Sequence, residues 1–343
     1  MFNKTKNVFI IAEAGVNHNG QLGLALKLCD AAKEAGVDAI KFQTWKTENI
    51  VTKSADLSTY QSNNISNSEM TQFEMLKNLE LSFDNFSKIK EHCDQINLQF
   101  LSTPDEEESL NFLISLGISI IKVGSGEINN TPYLRSIGST KMPVILSTGM
   151  SYLGDVEKAY YTLLKAGTPQ ISLLHCTTNY PCPMDEVNLY AMLTLKEAFK
   201  CTVGYSDHTE GIEVPIAAVA LGAEIIEKHF TLDKSLVGPD HKASIDPIEL
   251  KNMVIAIRNI EKALGSGIKI PNISELEISN VILKRIVAKK NIKIGDTLSS
   301  DNLAVKRSKN GISSEFWDLI EGSIAEREFD IDEAIQVGFN FKA

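Results

Sequence analysis

The chain has 343 residues, 43% of them hydrophobic and 23% charged, with a formal net charge of −10. That length exceeds what a single core usually fills, so one large domain with a small one is expected, and the composition is that of an ordinary globular protein rather than a disordered or membrane one. The acidic balance excludes a general nucleic-acid surface, because phosphate backbones are gripped by clustered Lys and Arg.

The opening run MFNKTKNVFIIAEAG has too short an apolar stretch for a secretory or membrane-spanning segment and reads as a first strand. From residue 8 to about residue 264, short β-rich runs alternate with amphipathic helical stretches, the pattern of βα units around a parallel sheet. The strands read VFIIAEA, DAIKFQT, LQFLST, SIIKVG, PVILST, ISLLHC, CTVGYSD and AEIIEKHF, and helices such as LGLALKLCDAAKEAG and VEKAYYTLLKAG close on glycine. Eight such units match a closed (β/α)8 TIM barrel.

After the second strand, a long polar segment beginning at Thr47, TENIVTKSADLSTYQSNNISNSEM, is expected to cover the barrel mouth. The barrel domain is expected over 1–268, a linker over 269–284, and a small domain of short strands and turns over 285–343. The five cysteines, Cys29, Cys93, Cys176, Cys182 and Cys201, are scattered and lack CxxC spacing. They point away from a disulfide framework or zinc knuckle and toward a reducing cytoplasm.

In such a barrel the reactive side chains sit at the C-terminal strand ends. Here those ends carry Glu13, Lys41 and Gln43, Ser102 and Thr103, Lys122 followed by Ser125 and Glu127, Ser147, His175, Ser206 with Asp207 and His208, and Glu227 with His229. A buried Ser or Thr bonded to backbone is the usual fate of such a residue. Lysine is rarely buried unpaired, so Lys41 and Lys122 require anionic partners: a bound phosphate or carboxylate, or an ion pair with Glu13 or Glu127. Lys41 and Gln43 share a strand face. His208 and His229 lie on consecutive strands, where their rings can converge on a metal ion. A general acid/base role or a hydrogen-bonded core histidine fits the same spacing. Glu227 shares a face with His229 and is placed to orient a ligand or a metal-bound water. His175 and Cys176 suit core packing or substrate contact equally, and His92 belongs on a solvated helix. The loops NHNG (17–20) and VGPDHKAS (237–244) add polar residues near the mouth, with Asp240 or His241 able to fold back over it.

The set AEAGVNHNG, KFQT, LSTP, GSGEINN, ILSTGM, LHCTTNYP, GYSDHT, EKHFTLD and GPDHKAS resembles the sialic acid synthase family, which includes N-acetylneuraminate, N,N'-diacetyllegionaminate and pseudaminate synthases. The tail, KKNIKIGDTLSSDNLAVKR, resembles the antifreeze-protein-like (SAF) domain that ends those enzymes, so the likeness spans almost the whole chain. The resemblance implies an enzyme that condenses phosphoenolpyruvate with an open-chain N-acylated hexose, with Mn2+ or Mg2+ polarising the sugar aldehyde. It implies metal ligands at His208 and His229, and phosphoenolpyruvate contacts at Lys41, Thr103, Lys122, Ser125, Ser147 and Ser206. Sugar contacts are implied at Gln43, Tyr180 and Asp240, and acid/base candidates at Glu13 and Glu127. Thr178 stands at a substrate-site position that does not separate the substrate types. A homodimer that exchanges the small domain is also implied, with Arg307 reaching the partner's sugar site. Asp105 and Ser308–Lys309 depart from the family's usual residues. Two other readings of the same residues are a Schiff-base aldolase using Lys41 or Lys122 and a non-catalytic carbohydrate-binding or oligomerisation protein.

Overall fold

Side chains on a strand alternate between its two faces, and this alternation sets what each strand buries. The computed structural model describes residues 7–58, 61–62 and 70–336. Its first four strands are β1 (Phe9–Gly15), β2 (Ala39–Thr44), β3 (Gln99–Pro104) and β4 (Ile121–Val123). The next four are β5 (Val144–Ser147), β6 (Ile171–His175), β7 (Val203–Asp207) and β8 (Ile225–His229). Each overlaps the run read from the sequence. They form one sheet in the order β3-β2-β1-β8-β7-β6-β5-β4, with every ladder parallel. β3 also lies against β4, closing the barrel, and Gln99 Nε2 donates to Ser119 Oγ at 3.2 Å across that seam.

The inward positions are stacked in layers. Ile11, Ala39, Leu101, Ile120, Ile145, Leu174 and Ile225 form an apolar layer inside the barrel. Two residues further along the same faces stand Glu13, Lys41, Thr103, Lys122, Ser147, Cys176 and Glu227. The chain thus fills the barrel floor with hydrocarbon and places its ionisable groups directly above. Gly204 fits this layering because a Cβ there would stand 2.2 Å from the Ile225 carbonyl oxygen and 2.7 Å from Leu174 Cδ2.

Outward positions such as Ile10, Ala12, Phe42, Leu146, Leu173 and Tyr205 join the larger apolar cluster under the helices. α1 (Leu22–Ala35) ends where Gly36 turns left-handed at φ 84°, a conformation that favours glycine. Between β2 and β3 come α2 (Thr47–Ile50), α3 (Gln72–Leu79) and α4 (Phe83–Gln95). The long polar segment expected over the mouth therefore begins with a helical turn, tied by Thr47 Oγ1 to Glu80 Oε2 at 2.8 Å. The remainder of that expectation falls partly outside the described residues. The other strand-connecting helices are α5 (Glu107–Ser115), α6 (Thr131–Ser139), α7 (Leu153–Ala166), α8 (Tyr190–Phe199) and α9 (Glu213–Ala220). α10 (Pro247–Leu264) follows β8 and opens on a capping box between Asp246 and Glu249.

On the outer face of the barrel, Asp207 and Lys228 are in register on β7 and β8. Both side chains are 0% exposed, and their charged atoms lie 2.6 Å apart. Lys228 also donates to the Thr209 carbonyl, while Asp207 Oδ1 accepts from the Thr209 amide at 3.0 Å and hydroxyl at 2.8 Å.

The chain divides into two units, Met1–Gly265 and Ser266–Ala343. In the second, α11 (Ile273–Ile282) occupies most of the stretch read as a linker, started by a capping box between Asn272 and Glu275. None of its residues is buried, and the helix lacks the one-sided apolar stripe by which a sequence announces a helix. β9 (Lys284–Ala288) and β10 (Leu303–Arg307) pair antiparallel over a small core that includes Ile286, Leu303, Ile320 and Phe329.

Replacing Lys228 by Met would leave Asp207 buried without a cation. Urea unfolding should show a loss of roughly 3–5 kcal/mol. Lys88→Ala, which breaks an exposed pair with Asp84, should change little. An unaltered midpoint for Lys228→Met would contradict this account of the pair.

Candidate active site

The polar layer opens into a cavity of about 210 Å³ at the C-terminal ends of the strands. Lys41 Nζ stands 2.7 Å from Glu13 Oε2 and 3.7 Å from Glu227 Oε2, and Lys122 Nζ is 3.5 Å from Glu227 Oε1. Glu13, Lys41, Glu227 and Lys122 thus form a chain of alternating charge in which Glu227 touches both lysines. Hydroxyls complete it: Lys122 donates to Ser147 Oγ at 2.7 Å, Lys41 to Thr103 Oγ1 at 3.3 Å, and Ser206 Oγ to Glu227 Oε1 at 2.9 Å. Gln43 Nε2 donates to Glu13 Oε1 at 3.2 Å. Of the sequence alternatives for the lysine partners, Glu13 takes Lys41. Glu127 takes neither lysine; it accepts from Asn130 Nδ2 at 2.7 Å. Glu227 is engaged by the lysines rather than directed at the histidines alone.

The two carboxyls of this chain are driven in opposite directions. Burial raises Glu13 to about 7 against the pull of Lys41, and the negative Glu227 adds to the rise. Burial also disfavours the Glu227 anion, but Lys122 and Lys41 beside it hold its pKa below the ordinary value. Burial opposes the charge of Lys41 as well, yet Glu13 and Glu227 keep its pKa raised. Lys122 is lowered, chiefly by burial. Two carboxyls whose surroundings split them this way are suited to different tasks, one anchoring charge and the other moving a proton.

At the rim, the His208 and His229 rings lie 5.3 Å apart between centroids, and the Tyr180 ring packs 4.1 Å from that of His208. His208 Nδ1 lies 2.6 Å from the Thr177 carbonyl oxygen, so Nδ1 carries the proton and Nε2 keeps its lone pair. Burial lowers His208 to about 4 and holds His229 well below its ordinary value, so both rings are neutral. His229 Nδ1 is buried with no hydrogen-bond partner among the described residues and stands 3.9 Å from Asp240 Oδ2. Burial raises Asp240 to about 6. Gly15, at φ 50°, supplies the open space below: a Cβ there would lie 3.2 Å from Glu13 Oε1 and 3.6 Å from both Gln43 Nε2 and His229 Cε1. Two neutral imidazoles and an orphaned ring nitrogen suit a divalent ion, with positions left for other ligands. Among the described residues, no group of three or more His, Cys, Asp or Glu side chains forms a metal site.

The two loops noted in the sequence latch together. Asn17 Nδ2 donates to the Phe230 carbonyl at 2.9 Å and to Ser244 Oγ at 2.8 Å, and Asn19 Nδ2 donates to the Val237 carbonyl at 3.0 Å. Buried His241 lies 2.7 Å from Thr231 Oγ1 through Nδ1 and 3.2 Å from Asn19 Oδ1 through Nε2. His241 is therefore a loop fastener, while its neighbour Asp240 is the residue that reaches His229.

Most of the residues singled out in the sequence meet in one place. Glu13, Lys41, Gln43, Thr103, Lys122, Ser125, Ser147, Thr178, Tyr180, Ser206, His208 and His229 all line the cavity. Glu127 and Asp240 do not line it, Asp240 Oδ2 standing 3.9 Å from His229 Nδ1, and Arg307 is exposed on β10 in the other unit. Cys176 and Asp105 line the cavity without having been assigned to it. The signal that finds them is alternation: 101, 103, 105 and 172, 174, 176 share their inward faces. His175 turns away and binds the Val187 carbonyl at 2.9 Å, and His92, expected to be solvated, pairs with Asp30 at 2.7 Å.

Removing the His241 ring leaves Thr231 and Asn19 without their shared partner. His241→Ala should lower stability by about 1–3 kcal/mol in denaturant unfolding, while His92→Ala should lower it far less. Equal effects would contradict the latch.

The NeuB family model matches residues 28–269, and the SAF domain model matches 285–336. The N,N'-diacetyllegionaminic acid synthase of Campylobacter jejuni is 49% identical, covering 96% of this chain and 99% of its own. The enzyme of that name from Legionella pneumophila is 48% identical over 92% of this chain and 89% of its own. Among solved structures, an N-acetylneuraminic acid synthetase from Leptospira borgpetersenii superposes with a TM-score of 0.70 at 38% identity, covering 81% of this chain and 93% of its own. The chain belongs to the NeuB family and ends in a SAF domain.

Proposed function

We propose that this protein condenses phosphoenolpyruvate with an open-chain N-acylated hexose to give a nonulosonic acid and phosphate, with the precursor of N,N'-diacetyllegionaminate favoured as the sugar. The observation that carries this reading is the buried chain Glu13–Lys41–Glu227–Lys122 beneath two neutral imidazoles in one cavity. Near-half identity to two legionaminate-type enzymes supports the choice of sugar over N-acetylmannosamine and over the pseudaminate precursor. The Schiff-base alternative needs a free, neutral lysine. Lys41 is instead held protonated by Glu13 and Glu227, and Lys122, although lowered by burial, is not free: Ser147 and Glu227 engage it.

In this reading, Lys41 and Lys122 grip the phosphate and carboxylate of phosphoenolpyruvate, and the hydroxyls of Thr103, Ser125, Ser147 and Ser206 fix their orientation. Glu227 pairs with both lysines and holds them in place before the substrate arrives. Gln43, Thr178, Tyr180 and Asp240 contact the sugar. His208 and His229 would hold a Mn2+ or Mg2+ ion. When bound, that ion supplies Lewis-acid polarisation of the sugar aldehyde. The phosphoenolpyruvate C3 then forms a bond to the aldehyde carbon, and water adds at C2. The resulting tetrahedral carbon loses phosphate by C–O cleavage. Glu13, raised to about 7, is the group in contact with Lys41 that is able to carry a proton at neutral pH. The half-buried Glu127, outside the cavity, is the weaker candidate for that role.

The same reading makes the protein a homodimer with exchanged SAF domains, Arg307 entering the partner's sugar site. The exposed apolar side chains of α11, Ile273, Leu276, Ile278 and Val281, support such an association. Five free cysteines support a reducing cytoplasm, and no helix among the described residues is long and apolar enough to cross a membrane.

Phosphate release should be measured from phosphoenolpyruvate with each of the three candidate sugars. The diacetamido trideoxymannose is expected to be turned over best. Treatment with a chelator should abolish release, and Mn2+ or Mg2+ should restore it. Full activity after chelation would remove the metal from the account.

A further inference from the structure

One lining carboxylate has no role in the chemistry described above. Asp105 follows Pro104, the last residue of β3, and continues the inward series Leu101, Thr103, Asp105. Its backbone is fixed on three sides. The Asp105 amide donates to the Thr44 carbonyl at 3.1 Å. The Tyr133 hydroxyl stands between the two flanking carbonyls, 2.8 Å from Pro104 O and 3.2 Å from Glu106 O. Glu106 then caps α5, accepting from the Ser109 amide at 2.9 Å. A turn fastened in this way holds a half-buried carboxylate at the cavity wall, and its oxygens make no hydrogen bond among the described residues. Glu13 and Glu227 each have a lysine within 4 Å; Asp105 has none.

A rigid carboxylate with free acceptor oxygens in a ligand cavity is a recognition element awaiting donors. Phosphoenolpyruvate does not supply them, because it is anionic and would be repelled. In the barrel, β3 lies across from the His208 strand, β7, in the sheet order. Asp105 and the two histidines line one cavity from opposite sides, so a sugar whose aldehyde lay at the histidines would have Asp105 within the same cavity for its remote end. We propose that Asp105 is a specificity residue that accepts a hydrogen bond from a hydroxyl or amide N–H on the part of the sugar farthest from the aldehyde. This inference rests on the reading of the site as a nonulosonic acid synthase. Burial and the nearby Glu127 carboxylate raise Asp105 to about 7, and a hydrogen-bond donor from the sugar would favour its charged form.

The test is steady-state kinetics of the full-length, metal-loaded protein and of Asp105→Ala and Asp105→Asn, with N-acetylmannosamine and 2,4-diacetamido-2,4,6-trideoxymannose. Asp105→Ala should lower kcat/KM for the preferred sugar by roughly tenfold or more. It should change the ratio between the two sugars by a similar factor and leave the KM for phosphoenolpyruvate within about twofold. Asp105→Asn, which keeps an acceptor oxygen, should recover part of the loss. Thermal unfolding of each variant separates loss of fold from loss of recognition. An unchanged ratio between the sugars, or a loss confined to phosphoenolpyruvate, would overturn the proposal. If the wild-type protein releases no phosphate with any N-acylated hexose, the synthase reading fails, and the Asp105 inference falls with it.

Discussion

Burying a charge is costly unless a partner and hydrogen bonds replace the lost water, and this barrel buries four ionisable groups side by side. Lys41, Glu13, Glu227 and Lys122 are each 5% exposed or less. Their mutual pairing makes them tolerable without making them an efficient source of stability, since apolar residues of similar volume generally do as well. The apolar layer beneath them is packed and continuous, so stability has its source there. What the charged layer provides is a preorganised field. Glu227 between two ammonium groups holds them in place, and a dianionic or trianionic ligand can take up the same positive charge without the site having to rearrange.

The contrast with Asp207 and Lys228 sharpens this. That pair lies on the outer face, is fully buried and is closed by Thr209. Its polar atoms are all engaged. Inside the barrel, Thr178 Oγ1 and His229 Nδ1 are buried without hydrogen-bond partners among the described residues, and both residues face the void. Buried polar atoms are normally satisfied, so a cluster of unsatisfied ones around a cavity marks where a ligand supplies the missing bonds.

Much of this was legible in the sequence because period-two alternation is a local property. Lys41 with Gln43, and Glu227 with His229, could be assigned to one face from spacing alone, and the structure places each pair on the inward face. The same rule puts Asp105 and Cys176 on the inward face, which decides for Cys176 between core packing and a place at the cavity and gives Asp105 a position there. What spacing could not decide was pairing between strands: Glu13 and Glu127 are the partners the sequence offers the lysines, whereas Lys122 meets Glu227 across the barrel interior, from strands four apart in the sheet order. The latch between residues 17–20 and 237–244 was equally hidden, because it joins loops more than two hundred residues apart through side chains that read as ordinary polar surface. α11 was hidden for the opposite reason: a helix with no buried face gives no periodic signal.

If the buried lysines form the anion receptor of the site, calorimetric titration of phosphoenolpyruvate into the full-length protein will register their loss. Lys122→Met, which keeps the side-chain volume near that of lysine and leaves Lys41 paired with Glu13, should weaken phosphoenolpyruvate binding by roughly tenfold or more. Its circular dichroism should match that of the wild type. Undiminished binding of phosphoenolpyruvate by a folded Lys122→Met protein would contradict the account.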